Sequence, residues 1–154
     1  GVTARVDLAG TPVLLLKPLT FMNLSGRSVA RASTFFRIPL DGIVVVHDDL
    51  DLAFGAIRVK IGGGNGGHKG LASCTADLGG PGFIRVRIGI GRPPHGDAAD
   101  YVLQSFSKIE AAELGDIVDR AADAIQAIIL DGTVKAMNAF NKKAARKGED
   151  GPNA

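Results

Sequence analysis

Two short runs of purely apolar residues constrain the fold of this chain more than any other feature. Residues 13–16 and 43–46 are continuous aliphatic stretches, and the second contains only isoleucine and valine. Runs of this length are typical of strands that are buried on both faces. A helix-length segment separates them, with Asn23 or Ser25 as the predicted N-cap and an end near Arg37. Strands that alternate with helices predict an α/β fold.

The rest of the chain continues this alternation. Residues 5–9 and 11–17 are predicted to form two strands around a tight turn, and a capping box opens the longest helix. The later predicted elements are strands at 55–60 and 83–90 and helices at 71–78, at 108–130 and up to Phe140. We therefore predict one domain over residues 1–140, with a mixed twisted sheet flanked by helices. Residues 141–154 are predicted to be a disordered, basic polar tail.

Composition excludes several classes of protein. The chain has 154 residues, of which 45% are hydrophobic, so it can form one compact core. Cys74 is the one cysteine, which excludes an internal disulfide and a cysteine-based zinc site. The sequence has neither a signal-peptide pattern at its start nor an apolar run of about 18 residues. We expect a cytoplasmic protein, because these features are those of a soluble protein of a reducing compartment, and the net charge of +2 permits an anionic partner.

The acidic segment after the second apolar run, residues 47–51, is a candidate site. His47 and Asp48 follow residues 43–46 directly, and ligands of α/β sheets bind at the carboxyl ends of strands. A carboxylate there can orient a histidine and stabilise its charged form. A metal site lacks suitable histidine spacing, and a Ser25–His68–Asp48 triad lacks a nucleophile elbow. Carboxylates that only cap a turn are the structural alternative.

A glycine-rich segment is the second candidate. Six of the nine residues from 62 to 70 are glycine, and His68 and Lys69 lie among them. Glycines allow the backbone to approach a ligand closely and to present N–H groups at a helix start. The segment matches neither a P-loop nor a dinucleotide-binding motif. The alternative is a flexible connection without a ligand.

Basic residues flank this glycine-rich segment. If the strands at 55–60 and 83–90 pair, their basic side chains form a patch that suits a phosphate backbone. The alternative is a solvated sheet face. The basic residues concerned are Arg58, Lys60, Arg85, Arg87 and Arg92.

Four stretches taken together resemble the bacterial peptidyl-tRNA hydrolases. They are residues 17–26, residues 47–52 with Gly55, residues 62–71 and residues 85–93. The resemblance covers the chain to about Phe140. It implies hydrolysis of the ester that links a peptide to the tRNA 3′ ribose, without a metal ion or another cofactor. It also implies a histidine that acts as general base and an aspartate that orients this histidine.

The resemblance assigns roles to individual residues. Asp48 matches the orienting aspartate. The remaining positions match residues that bind the substrate. They are Asn23 near the ester, Phe21 and Met22 in the groove for the peptide and the terminal nucleotide, His68 and Lys69 in the glycine-rich segment, and Lys60 and Arg87 at tRNA phosphates. Peptidyl-tRNA is the implied partner, and neither a membrane nor an obligate protein partner is expected.

Two departures from the family pattern qualify these expectations. The family opens with a strand, a Gly-Asn-Pro-Gly turn and an Arg-His-Asn run that holds the catalytic histidine, and this sequence contains no such run. We therefore expect an N-terminally truncated chain that lacks a first strand and has impaired activity. Lys69 occupies a position where many relatives have asparagine, and lysine cannot accept a hydrogen bond. A non-catalytic RNA-binding relative is the alternative function, whereas a generic nucleotide-binding domain lacks its phosphate motif.

Overall fold

The computed structural model describes residues 1–142 as five strands and five α-helices. The strands are β1 (Val2–Leu8), β2 (Thr11–Lys17), β3 (Val44–Asp49), β4 (Ile57–Ile61) and β5 (Ile84–Gly89). The helices are α1 (Ser25–Phe36), α2 (Lys69–Leu78), α3 (Ala98–Val102), α4 (Lys108–Asp131) and α5 (Thr133–Phe140). None of the helices in this range is long and apolar enough to cross a membrane.

Most of the predicted tail lies outside the described residues. Asn141, which the sequence assigns to that tail, is tied to β4 by two hydrogen bonds. Its Oδ1 accepts from the Val59 N–H at 2.8 Å, and its Nδ2 donates to the Val59 carbonyl at 2.8 Å. The folded region therefore includes Asn141.

The strands form two sheets instead of the predicted single one. β1 and β2 make an antiparallel hairpin whose turn residues, Ala9 and Gly10, both have positive φ. In the second sheet the order is β3-β5-β4, and the central strand β5 is parallel to β3 and antiparallel to β4. The mixed sheet is thus confirmed for the three-stranded unit only, because within residues 1–142 β2 pairs with β1 alone.

Two positions that were predicted to be buried are exposed. Leu15 in β2 has 48% of its surface exposed, and Val46 in β3 has 45% exposed. In the described part of the chain β2 and β3 are edge strands, and an edge strand lacks a neighbour on one side. The prediction that both strands are buried on both faces is therefore wrong at these positions.

Helices cover both faces of the three-stranded sheet. On one face, Val86 packs in a cluster with Ile117 of α4 and with residues of α5. On the other face, Phe83 packs with Leu71 and Cys74 of α2. Cys74 is buried in this cluster, and burial raises the pKa of its thiol. This second face carries the loops that form the candidate site.

A close contact between α1 and α2 fixes the segment before α1. A Cβ atom on Gly26 would lie 2.1 Å from the carbonyl oxygen of Ser73, so only glycine fits at this crossing. The Gly26 N–H also donates to Ser73 Oγ at 2.9 Å. The crossing brings Met22 beside Gly70, where its sulfur lies 2.7 Å from the position a Cβ would take. Residues 21–24 are thereby held next to the start of α2.

The helix caps agree with the sequence in one case and differ in another. The predicted capping box of Ser107 and Glu110 opens α4. At α1 the prediction is wrong, because Ser25 is the first helical residue and Asn23 lies in a preceding 3-10 turn. Ser25 Oγ donates instead to the Met22 carbonyl at 2.8 Å. This bond satisfies an acceptor in the turn. Neither Ser25 nor Asn23 caps α1 with its side chain.

Candidate active site

Asp48 lies at the carboxyl end of β3, as the sequence predicts. Its Oδ1 accepts a hydrogen bond from His68 Nε2 at 2.9 Å, and 40% of its side chain is exposed. This hydrogen bond is the main reason why the pKa of Asp48 lies below its ordinary value. The carboxylate therefore stays ionised at neutral pH. The structure thus brings together the two segments that the sequence singles out, the acidic segment and the glycine-rich segment.

The ring of His68 has both of its nitrogens committed. Nδ1 accepts from the backbone N–H groups of Gly70 and Leu71, at 3.1 and 3.2 Å, and so caps the N-terminus of α2. A nitrogen that accepts carries no proton, so the proton is on Nε2 and is donated to Asp48. In this state His68 donates to the carboxylate, and its one lone pair, on Nδ1, is engaged by the two N–H groups and is not free to accept a proton from water.

The ring of His47 packs against the ring of His68. Its Nδ1 donates to the Asp48 carbonyl oxygen at 2.8 Å, and the two imidazole rings meet edge-to-face with centroids 5.2 Å apart. The ring is 8% exposed, and burial lowers the pKa of His47, so it is neutral at pH 7. Its Nε2 is buried and has no partner within residues 1–142. His47 has no separate role in the sequence analysis, although strand alternation places its side chain on the face opposite Asp48.

The residues predicted to touch substrate surround this pair and are exposed. Phe21 has 82% of its surface exposed and Met22 has 55%. Asn23 makes no side-chain hydrogen bond within the described range and is exposed, so its amide is free for a ligand. Lys69 is the exposed first residue of α2, next to His68.

The predicted basic patch is divided by the structure. β4 and β5 pair as expected, with Lys60 opposite Arg85. Arg85 is buried, at 2% exposed, and is therefore not part of a surface patch. Arg87 donates to Asp49 at 2.8 Å, and Arg92 pairs with Asp51. The five cations therefore do not form one exposed patch, because two are paired with the acidic segment and one lies in the interior.

The described residues do not form the other chemical arrangements that the sequence analysis weighed. Ser25 Oγ donates to a backbone carbonyl, so a Ser25–His68–Asp48 triad does not form. Residues 1–142 contain no group of three or more histidine, cysteine or acidic side chains placed to hold a metal ion. His95 lies in an exposed loop. The site is therefore an Asp–His pair surrounded by exposed aromatic, amide and ammonium groups.

Comparison with known proteins now identifies the family. The family model described as peptidyl-tRNA hydrolase matches residues 1–148. The chain belongs to the peptidyl-tRNA hydrolase family. The peptidyl-tRNA hydrolase of Geobacter sulfurreducens is 52% identical over 143 residues, which cover 93% of this chain and 74% of that relative. The peptidyl-tRNA hydrolase of Pelobacter propionicus is 51% identical over 143 residues, with the same coverage.

Solved structures of the peptidyl-tRNA hydrolase family share the fold. The crystal structure of peptidyl-tRNA hydrolase from Acinetobacter baumannii is 37% identical, with a TM-score of 0.83 over 90% of this chain and 71% of that chain. A crystal structure of a peptidyl-tRNA hydrolase in complex with n-propanol gives 37% identity and a TM-score of 0.84, over 93% of this chain and 74% of that chain. The α/β fold with helices flanking its sheets is thus confirmed.

The chain spans about three quarters of the length of these peptidyl-tRNA hydrolases. The comparisons do not support the expected N-terminal truncation, because the family match begins at residue 1. They also do not confirm that a first strand is missing, and this expectation stays a prediction.

The Asp49–Arg87 pair gives stability a defined dependence on pH. Burial alone would raise the pKa of Asp49, but the hydrogen bonds from Arg87 and from the Asp51 N–H, together with the nearby positive charge of Arg87, outweigh it and the pKa is lowered. The pair therefore stabilises the fold above the unfolded pKa of about 3.9, and this contribution is lost as pH falls through the lower folded value. We expect Asp49→Asn to reduce the free energy of unfolding by about 1 kcal/mol at pH 7, since Arg87 is partly exposed.

Urea unfolding of the wild type and Asp49→Asn between pH 2 and pH 7 tests this expectation. The difference between the two proteins should shrink as the pH falls below about 4. Asp41→Asn is the control, because Asp41 is exposed and makes no ion pair within residues 1–142. A difference that stays constant over the whole range would show that the Asp49 charge is not what stabilises the fold.

Lys60 and Arg87 should contribute unequally to tRNA binding. Lys60 is exposed, whereas the charge of Arg87 is already neutralised by Asp49. We expect Lys60→Ala to flatten the dependence of the tRNA affinity on salt by about one unit of slope, and Arg87→Ala to flatten it by less. Titrations with tRNA at several KCl concentrations measure the slopes, and Lys135→Ala on α5 is the control. An unchanged slope in both variants would exclude a phosphate role for these positions.

Proposed function

We propose that this chain hydrolyses the ester bond between peptide and tRNA in peptidyl-tRNA and releases free tRNA. Family membership supports the reaction, and the Asp48–His68 pair at the carboxyl end of β3 is the observation that carries it. A half-exposed carboxylate that is held rigidly beside exposed substrate-binding groups is suited to orient a catalytic histidine. An RNA-binding module without activity does not need such a carboxylate, and no observation favours that alternative.

In this proposal Asp48 is a positioning residue. Its Oδ1 is occupied by His68, and Oδ2 has no hydrogen-bond partner in the described part of the chain. Oδ2 can therefore accept from the histidine that serves as general base. The negative charge fixes the tautomer of that histidine and stabilises the imidazolium that forms when water loses a proton. The resulting hydroxide attacks the ester carbonyl carbon, the bond from that carbon to the ribose oxygen breaks, and the imidazolium returns its proton to the ribose oxygen as the free tRNA leaves.

Neither of the two histidines beside Asp48 is arranged to be that base. His68 uses both ring nitrogens within the protein, and the free nitrogen of His47 is buried away from solvent. General-base assistance contributes about 10²–10⁴-fold to a rate. We therefore propose that the 154 residues alone turn over slowly and that the base is a different histidine.

The exposed groups around the pair bind the substrate. The aromatic ring of Phe21 offers a face on which a base can stack, and Met22 adds an adaptable apolar contact. Asn23 has an amide free to hold the substrate near the ester, since it makes no internal hydrogen bond within residues 1–142. Lys69 can donate to a carbonyl or to a phosphate oxygen. Lys60 contributes phosphate contacts further along the tRNA.

One assay of two proteins tests the proposal. The first protein is this chain, and the second is a chimera that adds the residues of the Geobacter sulfurreducens relative outside the matched stretch. We expect tRNA release from peptidyl-tRNA by both, at least about 100-fold faster in the chimera. No release by either protein would exclude the function. Equal rates would retain the function but move the base to His47 or His68.

A further inference from the structure

Arg85 is a buried cation that the proposed mechanism does not use. It lies in the central strand β5, is 2% exposed and has no carboxylate partner within residues 1–142. Its guanidinium group donates to three backbone carbonyls, those of Gly64, of Gly63 at 2.9 Å and of Pro81 at 3.4 Å. It also lies over the ring of Phe83, with 4.6 Å between the guanidinium carbon and the ring centroid.

The buried position of this charge costs free energy of folding. Removal of an unpaired charge from water is costly, and the Arg85 Nε–H has no acceptor in the described structure. Burial accordingly lowers the pKa of Arg85. A residue that breaks the rule for buried charges marks a position that is held for another reason than packing.

Two of the carbonyls that Arg85 binds, those of Gly63 and Gly64, belong to the glycine-rich segment, which forms the loop that leads to His68. Gly62 and Gly63 have positive φ, and this stretch of backbone has few side chains to hold it in place. The Gly62 N–H donates to the Phe83 carbonyl at 3.1 Å, so both Phe83, which directly precedes β5, and Arg85 hold the loop. The next residue after the anchored carbonyls is Asn65.

Asn65 transmits this anchoring to the site. Its carbonyl accepts from the His68 N–H at 2.9 Å, and its Oδ1 accepts from Thr75 Oγ1 of α2 at 3.1 Å. A short path therefore runs from Arg85 by a hydrogen bond to Gly64, along the peptide bond to Asn65, and by a second hydrogen bond to His68. At the far end of this path, His68 Nε2 holds Asp48.

We infer that Arg85 is a positioning residue that fixes the glycine-rich loop so that His68 keeps its Nε2–H on Asp48. The structural part of this inference stands without any activity, and its catalytic consequence rests on the proposed function. Without Arg85 the loop gains conformational freedom, His68 samples other orientations, and Asp48 loses its fixed position.

Spectroscopy of three proteins tests the structural part. Ring ¹⁵N chemical shifts should report a single Nε2–H tautomer of His68 in the wild type and a mixture of tautomers in Arg85→Met. The amides of Gly70 and Leu71, which the His68 ring caps, should exchange with solvent at least about tenfold faster in this variant. Arg58→Met on the neighbouring strand is the control, because Arg58 donates to the carbonyls of Ile57 and Phe140 and not to the loop.

The outcomes separate positioning from a merely structural role. An unchanged tautomer and unchanged exchange in Arg85→Met would overturn the inference, even if the melting temperature fell. If that variant does not fold, Arg85→Lys decides, because it retains the charge but cannot reach all three carbonyls. Faster Gly70 and Leu71 exchange in Arg85→Lys, with unchanged exchange in β5, supports the inference, and wild-type exchange refutes it.

Kinetics of the chimera test the catalytic consequence. We expect Arg85→Lys to lower kcat at least about tenfold and to change KM little, because Arg85 does not touch the substrate. Unchanged kcat together with a disturbed His68 tautomer would overturn the catalytic part alone. Failure of the wild-type chimera to release tRNA would instead reject the proposed function and leave the spectroscopic result valid.

Discussion

Replacement of Asp48 by asparagine is expected to lower kcat of the chimera by about 10²–10⁴-fold. Asparagine has the same shape, and its Oδ1 can still accept from His68 Nε2, so the loop and α2 should retain their structure. What disappears is the negative charge that stabilises an imidazolium beside it. KM should change little, because in our proposal Asp48 touches the base and not the substrate.

Asp51→Asn is the matched control for this experiment. Asp51 lies in the same acidic segment, and its exposed carboxylate pairs with Arg92 outside the Asp48–His68 pair. Turnover, KM and melting temperature are measured on the same samples of both variants. Normal turnover of Asp48→Asn together with a lowered melting temperature would show that Asp48 is structural and would remove it from the mechanism.

The substitution Gly26→Ala is expected to reduce the free energy of unfolding by about 3 kcal/mol. The new Cβ would lie 2.1 Å from the Ser73 carbonyl oxygen, and that atom belongs to the backbone of α2 and cannot rotate away. The two helices must therefore separate, which also loosens the contact of Met22 with Gly70. For a domain of this size the melting temperature should fall by about 6–12 °C.

The chain contains a matched control for the effect of alanine on a helix. Gly115 lies in α4, and a Cβ there would meet no atom within 4 Å. Gly115→Ala should therefore stabilise the protein by about 0.5–1 kcal/mol, because alanine has the better helix propensity. Thermal unfolding of both variants gives the comparison. A Gly26→Ala protein as stable as the wild type would show that α1 and α2 can move apart at their crossing without a cost in stability.

Local patterns in the sequence predict the parts of this fold that depend on near neighbours. The capping box of Ser107 and Glu110 predicts the start of α4, because both partners lie within one helical turn. The placement of Asp48 at the end of β3 follows equally from the run of valines before it. The family resemblance rests on the same segments, and the family match confirms it.

Features that depend on the packing of distant elements could not be predicted. Alternation along β5 separates Arg85 from Val86, but it does not reveal that α2 covers the face of Arg85. The two roles of His68, as cap of α2 and as partner of Asp48, join segments 20 residues apart. The sequence likewise predicts β1 and β2 as part of a larger sheet, because the residue pattern of a strand does not specify which strand it pairs with.

The strand order of the three-stranded sheet has a consequence for synthesis on the ribosome. β5 is the last of the three strands in sequence, yet it is the one to which both β3 and β4 bind. As the chain emerges from its N-terminus, β3 and β4 have no partner in this sheet until residues 84–89 have left the exit tunnel. The Asp48 site therefore assembles late, whereas the hairpin of β1 and β2 can close as soon as residue 17 is free.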